Sequence, residues 1–399
     1  MCEERLGVCA PGAEPPAASR CAVPGPPAES VAAPLVAVRT SVELSWTVAQ
    51  MAVLKDMLVS TVRLALALAA RRVGRRLARG PEARHDRGMR ALAAILSGAL
   101  ACGGGAGRSD RSDVEAGSVA ELWFAGDVHL GKGGAGALDE LAAAMGGASG
   151  VVNLEGPIDG RGEQGVVREP GAIRLFNGTG APGELARAGI VAAQVANNHA
   201  GDAGPEGQAA TAAALRAAGV APFGGAAGVA VIERGGLRVA LAGFEVGETV
   251  AAELPAALAA ARAAGDVLVV GFHRTGPPLY LPEPPLRQAA ELALEAGAAV
   301  VVAHGSHSLA GAELRGPAVV AWGLGNATFA CDCTEEREAL ALRVRLGRGG
   351  VESSVLVPID AGLSGQPARQ AADPGPVLDL LQAIGVRGRR EADRFTLAP

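Results

Sequence analysis

Five of the six histidines stand in short polar clusters, and each cluster follows an apolar run. GDVH (126–129) places Asp127 and His129 after ELWFAG, and VVNLEGPI (151–158) places Asn153 and Glu155 after paired valines. VANNHAGDAG (195–204) carries Asn197, Asn198, His199 and Asp202. DVLVVGFH ends on His273 with Arg274 beside it, and AHGSH (303–307) carries His304 and His307. One histidine alone would read as a satisfied structural residue. Five gathered in this way, with Asp127, Glu155 and Asn198 among them, point to one shared site. Imidazole, carboxylate and amide oxygen together suit borderline-hard divalent ions such as Mn²⁺, Fe²⁺ or Zn²⁺. The candidates suffice for two ions, which can clamp both oxygens of a phosphoryl or acyl transfer.

Such a site needs elements that deliver distant residues to one place. Short apolar runs at 121–126, 150–155, 190–196, 236–245, 266–273 and 298–304 read as strands. Segments 136–145, 205–219, 251–265 and 285–296 have helical spacing. PEGQAATAAALRAAG opens with Pro205 in a first turn and closes on Gly219, as helices do. Strands alternating with helices imply an α/β domain with much parallel sheet. Further strands at 316–326, 338–347 and 352–359 suggest antiparallel additions or a second sheet, and 377–385 reads as a final helix. In open α/β sheets ligands bind beyond the carboxyl ends of strands. Every polar cluster named above lies at such an end.

Composition narrows the classes. The chain has 399 residues, 49% hydrophobic and 3% aromatic, with a formal charge of −5. There is no basic footprint for nucleic acid and no aromatic platform for stacked bases. GKGGAG (131–136) lacks the spacing of a phosphate-binding G-x-x-x-x-G-K-[ST] loop, so an ATP-driven ligase is not expected. HGSHS (304–308) is not a G-x-S-x-G nucleophile elbow. Cys331 and Cys333 form a C-x-C pair with three readings: a soft-metal chelate, a small-loop disulfide, or two loop thiols.

The N-terminal part differs from the rest. Residues 1–50 are rich in Pro and Ala, a composition that favours disorder. Residues 51–80 could form a cationic amphipathic helix at a membrane surface. The favoured alternative reads 1–88 as sequence upstream of the true start, Met89. MRALAAILSGALACGGG (89–105) has a basic start, a short apolar run and small residues before Cys102, the layout of a secretory signal. ALA before Cys102 resembles a bacterial lipobox, which implies lipidation of Cys102 and a membrane anchor. Residues 103–118 would be a flexible tether. The expectation is an exported, membrane-anchored lipoprotein, or a cytoplasmic protein if 1–88 is real. The domain is expected over 119–385, with 386–399 as a tail.

GDVH, VVNLEGPI, VANNHAGDAGPEG, GFH, AHGSH and WGLGN occur in the order of CapA-type proteins, and over 119–385 the chain resembles that family. These are poly-γ-glutamate capsule synthesis proteins of the calcineurin-like metallophosphatase superfamily. The resemblance implies a four-layer α/β/β/α sandwich. It implies metal ligation by Asp127, His129, Glu155, Asn198, His273, His304 and His307. Glu155 stands where the superfamily uses a bridging Asp. His199 would contact phosphate and donate a proton to the leaving group, with Asp202 orienting it. Asn326 and Arg274 are the expected substrate-binding residues; Arg274 departs from the family pattern and either binds a carboxylate or phosphate by its guanidinium fork or simply faces solvent. Arg274 occupies the place of a Trp in the family's His-Trp-Gly. The implied partners are a polymer or phosphoester substrate and membrane proteins of capsule synthesis. Three functions stay open: a metal-dependent hydrolase, a capsule or envelope polymer factor, and a non-catalytic binding module.

Overall fold

The structure is a computed structural model, described here for residues 117–399 except 133, 161–165, 170–171, 278, 332 and 334–336. The amphipathic segment 51–80, the signal-like segment 89–102 with Cys102, and nearly all of the tether therefore lie outside the described residues.

In chain order the first part runs β1 (Ala120–His129), α1 (Asp139–Ala144), β2 (Ser149–Leu154), β3 (Val166–Glu169), β4 (Ala172–Leu175), α2 (Ala181–Arg187), β5 (Ile190–Gln194), α3 (Gly204–Ala217) and β6 (Ala221–Phe223). The middle part runs β7 (Ala230–Arg234), β8 (Leu237–Glu245), α4 (Leu254–Ala263), β9 (Val267–His273), α5 (Pro284–Glu295), β10 (Ala298–His304), β11 (Leu309–Arg315), β12 (Ala318–Leu324) and β13 (Asn326–Phe329). The last part runs β14 (Glu338–Gly347), β15 (Gly350–Asp360), β16 (Gly362–Leu363), β17 (Arg369–Gln370), α6 (Gly375–Ala383), β18 (Gly388–Arg390) and β19 (Phe395–Leu397).

Two main sheets form. The first has the order β18-β19-β15-β14-β1-β2-β5-β6, with β13, β16 and β17 attached at its side. The second has the order β11-β12-β10-β9-β8-β7. β1, β2, β5 and β6 run parallel, as do β8, β9 and β10, so within each sheet those carboxyl ends share one edge.

Period-two alternation splits each strand between two cores. In β1, Leu122 and Phe124 face the second sheet, among Leu241, Val269, Val300 and Leu342. Trp123 and Ala125 face the other way, toward Leu141 of α1, Leu185 of α2 and Leu215 of α3. On the outside of the second sheet, α4 contributes Leu258, and α5 contributes Leu286, Ala289, Ala290 and Ala293. That spacing of three, four and seven is one face of a helix. The result is the α/β/β/α sandwich that the resemblance implies.

The expected tail is part of the domain. β19 pairs with β15 through Val355↔Thr396 and Leu356↔Phe395, and Phe395 and Leu397 are buried in the inter-sheet core beside Leu378 and Leu381 of α6. Cys331 and Cys333 form a disulfide.

Candidate metal centre

Both sheets contribute to one buried polar cluster at their shared edge. β1 carries Asp127, and Glu155 follows β2; both are fully buried, at 0% and 1% exposure. His273 ends β9, His304 ends β10, and His307 lies in the turn after it. Asp127 Oδ1 accepts a 2.8 Å hydrogen bond from Asn153 Nδ2, and Oδ2 accepts one from Gly305 N at 3.1 Å. The second contact joins the two sheets directly. His304 Nδ1 is 3.5 Å from Asp127 Oδ1, and His307 Nδ1 is 3.3 Å from Asp127 Oδ2. His273 Nε2 and His307 Nε2 approach Glu155 Oε1 at 3.8 and 4.0 Å.

Tight backbone approaches set this geometry. A Cβ on Gly126 would fall 1.8 Å from Gly325 O, so only glycine lets β1 press against the entry to β13. Asp127 N then donates to Gly325 O at 3.1 Å, and Asp127 stands opposite Asn326 in register. His307 adopts φ of 56°, a strained backbone for a residue with a Cβ. The turn directs its Nδ1 toward Asn326 Oδ1 at 2.9 Å and sets its ring edge-on to Phe329.

The electrostatics follow from these contacts. Burial alone would raise the Asp127 carboxyl. The hydrogen bond and charge of His307, with His304 and His273 behind it, hold it instead well below the ordinary carboxylate range. Burial opposes charge on His307 too, but Asp127 and Glu155 carry its pKa up to about 10. His304 goes the other way: burial outweighs Asp127 and pushes it down to about 4. For His273 burial also opposes charge, yet Glu155 and Asp127 raise it.

The donors fit a divalent ion. Asp127, Glu155 and His307 offer ligand atoms within 4.8 Å of one another. Around them, five buried polar atoms have no hydrogen-bond partner among the described residues: Glu155 Oε2, both ring nitrogens of His273, His304 Nδ1 and Asn197 Oδ1. Orphaned buried polar atoms are costly and rare. A cation would satisfy those of them that carry a lone pair, which for His273 is one ring nitrogen when the imidazole is neutral.

The other sequence-predicted residues are held by contacts of their own. His129 is fully buried, with Nε2 3.1 Å from Phe176 O and its ring tilted against Phe329, the ring that also meets His307. Asn198 is exposed. Its neighbour Asn197 is the buried amide, donating to Asn153 Oδ1 at 3.1 Å and Leu154 O at 2.9 Å. His199 is half-buried with Nδ1 2.8 Å from Asp202 Oδ2, and that oxygen also accepts from Leu175 N at 2.7 Å. Asn326 lies inside, at His307.

Arg274, expected to bind substrate, is instead engaged within the protein. Its Nε donates to Glu283 Oε2 at 2.6 Å and Nη2 to Glu283 Oε1 at 3.0 Å. Nη1 donates to Gly247 O at 2.6 Å, and Nη2 reaches Glu248 Oε1 at 3.3 Å. This fork clamps the turn after β9 to the start of α5 and the loop after β8.

Two contributors escape sequence reading. Asn177 accepts from Leu130 N and donates to Glu155 O and Gly156 O, tying the ends of β1 and β2 together. Glu245 ends β8 opposite His273 and adds another carboxylate at the same edge. For Glu245 the strand-end position is a usable signal. For Asn177 no local pattern marks it.

Residues 121–330, more than half of the chain, match the family model described as bacterial capsule synthesis protein PGA_cap. The match spans every cluster described above. No curated protein matches the chain. Among solved structures, the crystal structure of a hypothetical protein from Thermus thermophilus aligns with a TM-score of 0.40 at 13% identity, covering 60% of this chain and 99% of that one.

Proposed function

The chain belongs to the bacterial capsule synthesis protein family PGA_cap, and from that premise we propose that it is a divalent-metal hydrolase of the cell envelope. It acts on a phosphoester, or an amide, in the synthesis or export of capsule or a related polymer. The observation that carries this reading is the buried grouping of Asp127, Glu155 and His307, whose ligand atoms lie within 4.8 Å of one another, with His273 and His304 beside them.

Asp127, Glu155, His273, His304, His307 and Asn197 Oδ1 would hold the metal, as two ions of Mn, Fe or Zn. When bound, the metal supplies Lewis-acid polarisation and a water of lowered pKa. The chain's own residues do the rest. Asp202 fixes His199 by accepting its Nδ1–H, and the Leu175 amide fixes Asp202 in turn. His199 Nε2 is then left to carry a proton to a leaving oxygen. Asn153 and Gly305 hold Asp127 in place from both oxygens.

Export as a lipoprotein through Cys102 completes the proposal. The Cys331–Cys333 disulfide supports an oxidising compartment. Among the described residues no helix is long and apolar enough to cross a membrane. Capsule-synthesis membrane proteins are its proposed partners. Mass spectrometry of the mature N-terminus tests this. A lipidated Cys102 is expected, and an unmodified peptide from residues 1–88 in cells would refute it.

A second reading, a non-catalytic assembly factor, draws on the exposure of Asn198, an expected ligand. Hydrolysis of p-nitrophenyl phosphate by the metal-loaded full chain separates the two. The hydrolase reading expects turnover that falls roughly 10²- to 10⁴-fold in His199→Ala. An inactive chain that still binds polyglutamate would favour the assembly factor.

A further inference from the structure

A cavity of about 990 Å³ opens beside the metal centre, and nothing in the proposed chemistry uses it. Leu154, Gly156 and Asn197 line it at one end, next in sequence or hydrogen-bonded to the residues that build the centre. Glu245 and Val246 line the same end, and Val246 N donates to His273 O at 2.8 Å. From there the walls are helix faces of small apolar residues. α3 offers Ala209 and Ala212, and α4 offers Leu254, Ala257 and Ala260. The spacing of each set keeps it on one face of its helix.

Its uncharged polar amide and hydroxyl side chains are few: Asn197, Asn198, Gln208 and Thr211. Asn197 is the one bonded to Leu154 O beside the centre, and its buried Oδ1 has no hydrogen-bond partner among the described residues. The remainder is mainly alanine, glycine, valine and leucine. Among the described lining residues the charged ones are Arg216, Glu245 and Glu253, one cation against two acids. Arg274, the neighbouring cation, is already paired with Glu283 and Glu248. A polyanionic chain laid along this trough would meet excess negative charge and apolar walls. A hydrocarbon chain would meet matching apolar surface, with favourable burial over its whole length.

We propose that the trough binds the aliphatic tail of an amphiphile whose phosphate headgroup lies at the metal centre. The headgroup assignment rests on the hydrolase reading; the tail assignment rests on the cavity. The ligand class is therefore an alkyl or isoprenoid phosphate ester rather than the polymer itself. A tail held here carries its phosphate to the edge where β5, β8 and β9 end.

The test is a fluorescence titration of the full chain with cis-parinaric acid, a polyene fatty acid, competed by dodecyl phosphate and separately by poly-γ-glutamate. Saturable binding of one probe per chain is expected, displaced by dodecyl phosphate and not by the polymer. Ala257→Trp and Ala209→Trp fill the trough from opposite helices, and each should weaken probe binding by about tenfold or more. Ala209 is exposed, so the second variant keeps the test valid if the first fails to fold. Absence of saturable binding, unchanged binding in folded Trp variants, or displacement by the polymer would overturn the proposal. Elemental analysis of the same samples after reloading with Mn, Fe or Zn separates the two claims. A chain that takes up no metal on reloading, hydrolyses no phosphoester and yet binds the probe refutes the hydrolase and keeps the trough. A metal-loaded, hydrolytic chain that binds no probe refutes the trough alone.

Discussion

Glu283→Gln tests whether Arg274 is a clamp. Arg274 is only 6% exposed at its side chain, and Glu283 is 29% exposed. The substitution keeps shape and removes the charge that meets the guanidinium in two parallel hydrogen bonds. A hydrogen bond to a charged group contributes about 1.5–3 kcal/mol. Glu283 is partly solvated, and Arg274 retains Gly247 O and the exposed Glu248, so the cost should be nearer 2 kcal/mol than the sum of two such bonds. For a domain of this size that lowers Tm by roughly 5 °C. The pH dependence has a definite sign. Arg274 lowers the Glu283 pKa against the smaller opposing effect of burial. The contribution is therefore complete above the ordinary glutamate pKa and is lost as pH falls through the depressed value. Thermal denaturation by circular dichroism, at neutral pH and near pH 3, measures both. Arg274→Met should destabilise similarly, and the double variant should cost far less than the two single changes added together. Arg274→Met with unchanged Tm and a raised KM for a phosphoester would refute the clamp and restore Arg274 as a substrate ligand.

Other expectations follow from the same geometry. Gly126→Ala puts a Cβ 1.8 Å from the Gly325 carbonyl oxygen; it should cost about 1–3 kcal/mol and weaken metal binding, and a stable variant with full affinity would contradict the close approach. His307, with its pKa raised to about 10, is protonated at pH 7 in the metal-free chain, so metal must displace that proton. Calorimetry in buffers of different ionisation enthalpy should show net proton release on metal binding, with affinity rising from pH 6 to 8, and a pH-independent affinity would be the contrary result. Without metal the sign for stability is opposite to that of Glu283: the His307 contribution is full below its ordinary pKa and is lost as pH rises through about 10. Peptide mapping of unreduced protein should recover Cys331 linked to Cys333, whereas two alkylated thiols would contradict the pairing.

Much of this arrangement is legible in the residues. Alternating apolar runs and Pro-to-Gly helix boundaries locate the strands and helices of the two layers. Polar residues after each run locate the edge where Asp127, Glu155, His273, His304 and His307 meet. What escapes depends on tertiary path. Which of two adjacent asparagines turns inward is decided by the chain's course after β5, where Asn197 reaches Leu154 O and leaves Asn198 outside. The fate of Arg274 depends on Glu283 and Glu248, which its own neighbourhood does not reveal. His129 is expected with the ligands because it shares a motif with Asp127, and its Nε2 contact to the carbonyl of Phe176, 47 residues away, has no local signal. Residues 386–399 lack a strong periodic signal, and their order comes from pairing with β15.

The central claim is that Asp127, Glu155 and the strand-end histidines hold a divalent metal. Elemental analysis of the purified full chain by inductively coupled plasma mass spectrometry, before and after reloading with Mn, Fe or Zn, tests it most directly. The account predicts at least one transition ion per chain in the wild type, lost in Glu155→Gln and in His307→Ala while both remain folded. A wild-type chain that holds only trace metal after reloading, indistinguishable from those variants, would contradict it.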